Sequence, residues 1–325
     1  MTKLSNQSFL SVAGGMFAVV LSGVASAQVS AYPSASPSAT VHALESSVAT
    51  QLISNTSLQQ MLTISNAVGF RMGILQSRPA NIVSSNQTFG LAAGGNEKWN
   101  AWGSLSANNN EYKGFDQDVT TAVAGLDYTV APTLVAGASV AYDRSTGSLF
   151  NITTTGYTVA PYLGWQINKD WSLDASMGWG EGKTNIGTNE IKPDRFFYGT
   201  NLSYTQWSGN WQFTGKASYL YGEEKYESTL LNAKNKIDQW RLGGQAGYWM
   251  AGGIMPYFGL AYSTDDTKTA LAGTNDLGKN AWTVSVGANF FSLANNLTGG
   301  IVYNQESGRS NSKRDSVMLN INYRF

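Results

Sequence analysis

Cysteine is absent from all 325 residues, which removes disulfide frameworks, thiol nucleophiles and thiolate metal sites together. The same absence suits a chain that must cross an oxidising compartment unfolded. Histidine occurs once, at His42, so an imidazole general base or a histidine metal cluster has almost no raw material. Charged residues make up only 13% of the chain, against roughly 25% in a soluble domain. The 21 basic and 21 acidic residues cancel, which removes the electrostatic footing for a nucleic-acid partner. Beyond Ala27 no run approaches the about 20 uninterrupted apolar residues that a membrane helix needs, so a helical membrane protein is excluded.

Glycine and aromatics, by contrast, are plentiful: 35 Gly, 10 Trp, 16 Tyr and 13 Phe. Mean hydropathy is −0.20, a soluble-looking value. The apolar residues are nevertheless ordered. In the last ten positions Val317, Leu319, Ile321, Tyr323 and Phe325 alternate with Ser316, Met318, Asn320, Asn322 and Arg324. Successive side chains of a strand point to opposite faces, so one face here is apolar and ends in two aromatics, while the other is polar apart from Met318. In a soluble protein this would be a sticky exposed edge. It makes sense as the closing strand of a membrane barrel, with lipid on one side and the lumen on the other. The stretch resembles the C-terminal assembly signal of bacterial outer-membrane proteins, which assigns Val317, Leu319, Ile321, Tyr323 and Phe325 to barrel assembly.

From Lys98 to Phe325 the chain reads as twelve alternating segments, from 98–108 to 314–325, separated by turn signals. In the clearest, Trp171, Leu173, Ala175, Met177 and Trp179 oppose Ser172, Asp174 and Ser176. Another sets Trp211, Phe213, Gly215, Ala217 and Tyr219 outward, and Gln212, Thr214, Lys216 and Ser218 inward. Short turns such as Ala131-Pro132 and Ser208-Gly209 alternate with longer polar loops at Asn109–Gln117, Glu224–Asn235 and Asp266–Gly278. Short turns at one end and long loops at the other are the habit of outer-membrane barrels. Trp165, Trp171, Trp207, Trp211, Phe290 and Phe325 fall near the short turns; Tyr142, Trp179, Tyr198, Tyr221, Tyr262 and Trp282 fall near the long loops. The two sets read as aromatic girdles at the two interfaces. The expected fold is all-β: a 12-stranded antiparallel transmembrane β-barrel over 98–325.

Ahead of the barrel, Met1 to Ala27 reads as a secretory signal, with Lys3, an apolar core from Phe9 to Val24, and cleavage after Ala27 at Ala25-Ser26-Ala27. An uncleaved anchor is the weaker alternative, because Gly14-Gly15 and Ser22-Gly23 interrupt the core. Residues 28–56 form a short N-terminal segment, flexible where Ser, Ala and Pro dominate and helical where Leu44, Val48 and Leu52 recur. Residues 57–97 hold a helix and a linker: Leu58, Met61, Leu62, Val68, Met72 and Leu75 keep helical spacing until Pro79. The polar mixture on that helix suits a barrel lumen, while a helical pair outside the barrel is the other placement.

Gly90-Leu91-Ala92-Ala93-Gly94-Gly95 followed by Trp99-Asn100-Ala101-Trp102-Gly103 resembles the start of an autotransporter β-domain. Gly125-Leu126-Asp127-Tyr128 and Leu134 to Asp143 resemble its second and third strands. The resemblance covers roughly residues 57–325 and implies a type V secretion barrel that exports an N-terminal passenger, with a helix in the lumen. It also raises asparagine-type passenger release, for which Asn66-Ala67 and Asn81-Ile82 are the only positions, and such cleavage is not expected here. One departure is large: between Ala27 and the helix there is no room for a β-helical passenger.

No catalytic, cofactor-binding or metal-ligating set is expected. Asp143, Asp174, Glu181 and Glu223-Glu224 read as lumen-lining polar groups, and Asp265-Asp266 with Asp276 as loop carboxylates facing water. The expected protein is not an enzyme and carries no cofactor. Its expected partners are outer-membrane lipid, the barrel-assembly machinery and periplasmic chaperones, with no nucleic acid and a monomeric barrel. A passive channel and a structural or adhesive surface protein are the alternatives.

Overall fold

The computed structural model describes residues 60–71, 98–112, 115–148, 152–186, 189–227, 232–269, 278–292 and 296–325. The expected signal, the 28–56 segment, His42, Asn81 and Gly90–Gly95 lie outside these residues. Among the described residues one helix, α1 (60–71), precedes the strands. They are β1 (Trp99–Tyr112), β2 (Phe115–Ala131), β3 (Leu134–Gly147), β4 (Thr153–Gln166), β5 (Trp171–Ile186), β6 (Asn189–Ile191), β7 (Pro193–Ser208), β8 (Trp211–Glu227), β9 (Asn232–Tyr248), β10 (Ile254–Thr269), β11 (Asn280–Ser292), β12 (Leu297–Ser307) and β13 (Ser312–Arg324).

Every neighbouring pair is antiparallel, and β1 pairs with β13 from Asn100↔Arg324 to Tyr112↔Ser312. Trp99 and Phe325 also exchange backbone hydrogen bonds, at 3.3 and 3.0 Å, which completes the seam at the short-turn end. The sheet therefore closes on itself and leaves no edge, the one way a sheet can sit in hydrocarbon. The closed wall has twelve long strands; the three-residue β6 is an extra ribbon folded onto the end of β5.

The wall is apolar outside and polar inside. Leu242, Phe258, Val286, Ile301 and Leu319 are exposed, while Asn100, Asp143, Gln212, Asn289 and Asn320 are buried. In β4 the exposed apolar positions run from Tyr157 to Trp165, about 26 Å along the strand and about 20 Å when tilted by about 40°. That approaches the about 25 Å apolar band of an outer-membrane barrel. Cross-strand aromatic pairs border the band. Trp99–Tyr128, Trp171–Tyr204 and Trp211–Tyr248 lie near the short turns with ring centroids 5.0, 4.9 and 5.0 Å apart. Tyr198–Tyr221, Tyr219–Trp240 and Tyr262–Trp282 lie towards the long loops at 5.1, 4.7 and 5.1 Å.

Three expectations need correction. The strands overrun their apolar segments: β1 continues to Tyr112 and β2 begins at Phe115, so Asn109–Gln117 is mostly paired strand. There the outward Asn109, Glu111 and Asp116 are polar like the buried Asn108, Asn110 and Gln117, so the pairing leaves no apolar alternation to read. Trp207 is not in the girdle; it shares the inward side with Ser203 and Thr205 and packs against Trp249 at 6.5 Å. Glu181 and Glu223 face outward rather than into the lumen, and Glu223 takes Lys234 at 2.6 Å.

Candidate functional site

The lumen is the only compartment this wall encloses, and α1 fills part of it. Among its residues Gln60, Met61, Thr63, Ile64, Ser65, Ala67, Val68 and Arg71 are buried. Met61, Ile64 and Val68 recur at helical spacing and form one cluster with Val123, Ala141, Ala160, Phe197, Leu220 and Ile237 of the wall. Inward glycines let the helix lie flush: a Cβ at Gly222 would stand 2.4 Å from Met61 Sδ, and one at Gly199 would stand 2.8 Å from Ser65 Oγ.

Each end of α1 is tied to the wall by charge. At the N-terminal end Arg195 donates to Gln60 Oε1 at 2.7 Å, to Asp143 at 2.9 Å and to Glu224 at 3.0 Å. The Tyr226 hydroxyl also donates to Glu224. At the C-terminal end Arg71 donates to both oxygens of Asp127, at 3.1 and 3.0 Å. Asp127 further accepts from Asn100 at 3.2 Å and from the Tyr162 hydroxyl at 2.8 Å, and Trp102 Nε1 donates to that hydroxyl at 2.6 Å. Midway, Asn201 bridges the Ser65 carbonyl and Asp174.

These ties fix the direction of α1. Asp143, Arg195 and Glu224 lie at the long-loop ends of β3, β7 and β8, whereas Asn100, Asp127 and Tyr162 lie at the short-turn ends of β1, β2 and β4. The chain therefore runs down the lumen from the long-loop end to the short-turn end. Twelve residues from 60 to 71 advance about 18 Å along the axis, most of the apolar band. Beneath the helix, Trp249, Met255 and Phe291 pack with Phe70 and Trp207 as an aromatic floor.

Sequence reasoning identified the lumenal helix and treated Asp143 and Glu224 as ordinary lining; it missed their convergence on Arg195 and the Arg71–Asp127 pair. The legible signal was strand parity. Asp127 sits between outward Leu126 and Tyr128, so its charge has to face inward and needs a partner there. Val317 and Leu319 of the expected assembly stretch are exposed on the outside, Ile321, Tyr323 and Phe325 are half-buried, and Asn320 and Asn322 are buried in the lumen. Asn66-Ala67 lies within α1, with Ala67 buried. Asp265 is engaged by Arg309 at 2.6 Å rather than facing water, and Asp276 is outside the described residues. Among the described residues no group of three His, Cys, Asp or Glu converges as metal ligands.

A closed antiparallel barrel, apolar outside and polar within, with a helix threaded through its lumen, defines the class: an outer-membrane-type β-barrel. Residues 99–229 match the family model described as Autotransporter beta-domain, so the resemblance carried by the first strands holds. No curated protein matches the sequence. Among solved structures, the β domain of the Bordetella autotransporter BrkA superposes with a TM-score of 0.60 at 16% identity, covering 70% of this chain and 100% of that one. The translocator domain of the autotransporter NalP from Neisseria meningitidis superposes at 0.54 and 12% identity, covering 81% and 97%. An outer membrane channel from Pseudomonas putida F1 superposes at 0.53 and 13% identity, covering 75% and 100%. At these identities the likeness is one of fold.

Proposed function

We propose that this chain is an integral barrel of the outer membrane of a Gram-negative bacterium that anchors and exports its own N-terminal segment. One observation carries the reading. Gln60 is at the long-loop end of the lumen and Arg71 at the short-turn end, so the chain upstream of α1 leaves the helix at the long-loop end. In outer-membrane barrels the long loops are extracellular and the short turns periplasmic. The helix is then the last part of an exported segment, held where a completed export would leave it. Met1–Ala27 acts as the signal for passage into the periplasm. Chaperones there and the barrel-assembly machinery take the chain to the membrane, reading Val317, Leu319, Ile321, Tyr323 and Phe325. The activity is transport, without a chemical step. Protease added to whole cells should remove the residues upstream of Ser57 while leaving the barrel intact. Protection of that segment until the outer membrane is broken would count against export.

A second reading, a passive channel, is favoured by the space left beside α1, a cavity of ≈ 220 Å³ between the helix and β7–β13. Planar-bilayer conductance separates the two. A helix-filled barrel should conduct poorly as the full chain and far better as a chain beginning near Gly90, whereas equal conductance would favour the channel.

A further inference from the structure

The charges inside this barrel divide into two groups. Arg71, Arg195, Arg309 and Arg314 each meet a carboxylate, at 3.0, 2.9, 2.6 and 3.3 Å. Lys216 of β8 and Arg241 of β9 do not. Among the described residues neither has a carboxylate oxygen within 4.0 Å or a side-chain hydrogen-bond partner. Asp174 acts on Lys216, and Glu306 and Asp265 on Arg241, only from beyond 4.0 Å, and their direct contacts are elsewhere: Asp174 accepts from the neutral Asn201 amide at 2.6 Å, and Arg309 meets Asp265 at 2.6 Å and Glu306 at 2.7 Å. Both cations line the ≈ 220 Å³ cavity beside α1, and no Asp or Glu lines it with them. The rest of the lining supplies donors: Ser203, Thr205, Gln212, Thr214 and Asn289 from the wall and Asn66 from the helix. A second cavity of ≈ 60 Å³ shares Asn66 and Arg241 with the first and is lined also by Glu306 and Arg314, which meet each other at 3.3 Å.

Lys216 and Arg241 are half-buried, and a charge drawn partly out of water is stabilised by an opposite charge brought beside it. Here cations, hydroxyls and amides surround a common space, and the carboxylates that act on the two cations stand back from it, outside the lining of the larger cavity. We infer that this half of the lumen is a binding site for a small oxyanion of the phosphate or sulfate class, held between Lys216 and Arg241 of the wall and Asn66 of α1. At ≈ 220 Å³ the cavity has ample room for a tetrahedral oxyanion together with its hydration waters. The lipid phosphates of the membrane are on the other side of the wall, which leaves a soluble anion as the occupant. The helix is part of the site, because a Cβ at Gly69 would stand 2.6 Å from Lys216 Nζ, so the ammonium lies directly against α1. Bound anion therefore adds a polar tie between Asn66 of α1 and β8–β9, two strands that already meet the helix through Leu220 and Ile237. The site stands on the lumen geometry alone and not on export.

The test is calorimetric titration of the full chain in detergent with inorganic phosphate, at fixed ionic strength set by a bulky buffer anion. The wild type should take up one phosphate saturably. Lys216→Met and Arg241→Gln should each weaken uptake by about tenfold or more, as loss of one partner of a buried charge pair does. Lys225→Gln, on the outer face, should leave it unchanged. Asn66→Asp places a carboxylate in the cavity, and it should abolish phosphate uptake while raising the temperature at which the barrel loses its folded gel mobility. No saturable uptake by the wild type overturns the inference, and so does full uptake by Asn66→Asp, which keeps the test decisive should either cation variant fail to fold.

Discussion

Arg71 of α1 and Asp127 of β2, 56 positions apart, meet through two parallel hydrogen bonds at 3.1 and 3.0 Å in the lumen near the short turns. This is the bidentate geometry for which a guanidinium suits a carboxylate better than any ammonium. Asn100 and Tyr162 complete the shell around Asp127, so the pair holds the lower end of the helix in one place. Breaking such a pair from one side leaves a charge without a partner and costs about 3–5 kcal/mol. Asp127→Ala should therefore lower the temperature of folded-gel mobility loss and raise bilayer conductance as the helix end comes free. Asp127→Ala combined with Arg71→Met should recover part of the stability, because neither charge is then stranded. A double variant as unstable as Asp127→Ala alone would show that the pair is not what holds the helix end.

Close approach of helix to wall makes a second expectation. Met61 Sδ lies 2.4 Å from where a Cβ at Gly222 would stand, so Gly222→Leu cannot coexist with the helix in its present seat. Overpacking of this kind costs about 1–3 kcal/mol, and here the helix, tied mainly at its two ends, is the part able to move. The barrel should still assemble, while the helix becomes sensitive to protease added to the purified protein. Gly215→Leu is the control, since nothing lies within 4 Å of a Cβ there. Equal protease resistance in the two variants would argue against the flush packing.

The face assignment of β13 gives a third. Val317 and Leu319 are exposed on the outer surface, with Ile321 on the same side, whereas Asn320 and Asn322 are buried and Asn322 donates to Thr298 at 2.9 Å. Replacing Val317, Leu319 and Ile321 together with Asp should block insertion, since each charge facing hydrocarbon costs up to a few kcal/mol depending on depth. Replacing Asn320 and Asn322 with Ser should be tolerated. Heat-modifiable gel migration reads both, and assembly of the triple Asp variant alongside failure of the Ser variant would reverse the faces.

The legible parts of this protein share a physical cause. Lipid on one side and water on the other write a period of two into every strand, so the faces of β5 and β8 follow from their residues alone. The helix was legible because Met61, Leu62 and Val68 keep the other period, and its polar positions excluded lipid. What stayed hidden depends on which strands end up opposite one another. Arg195 and Gln60 are 135 positions apart, and only the curvature of the closed wall brings them to 2.7 Å. Trp207 shows the converse limit, since an aromatic at a strand end looks the same in sequence whether it borders lipid or joins the lumen floor beside Trp249.

Because the chain contains no cysteine, engineered pairs can report the helix position without background. Ser65 and Gly199 are the best placed: a Cβ built at Gly199 lies 3.4 Å from Ser65 Cβ, close to the about 3.5–4.5 Å that a disulfide spans. The variant carrying Ser65→Cys and Gly199→Cys should oxidise spontaneously during folding in the periplasm, where disulfides form and persist. Its oxidised form should migrate differently from its reduced form after boiling, because the bond closes a covalent loop of over a hundred residues. Conductance of the oxidised barrel should stay at the filled level even when Asp127→Ala is added, and rise when a reductant is supplied. A moderate control comes from pairing Ser65→Cys with Asn320→Cys, since Asn320 faces the lumen from β13, which the helix does not pack against through its apolar face. Equal cross-linking in both pairs would mean that α1 moves freely across the lumen, and the fixed, directed thread on which the export reading depends would be lost.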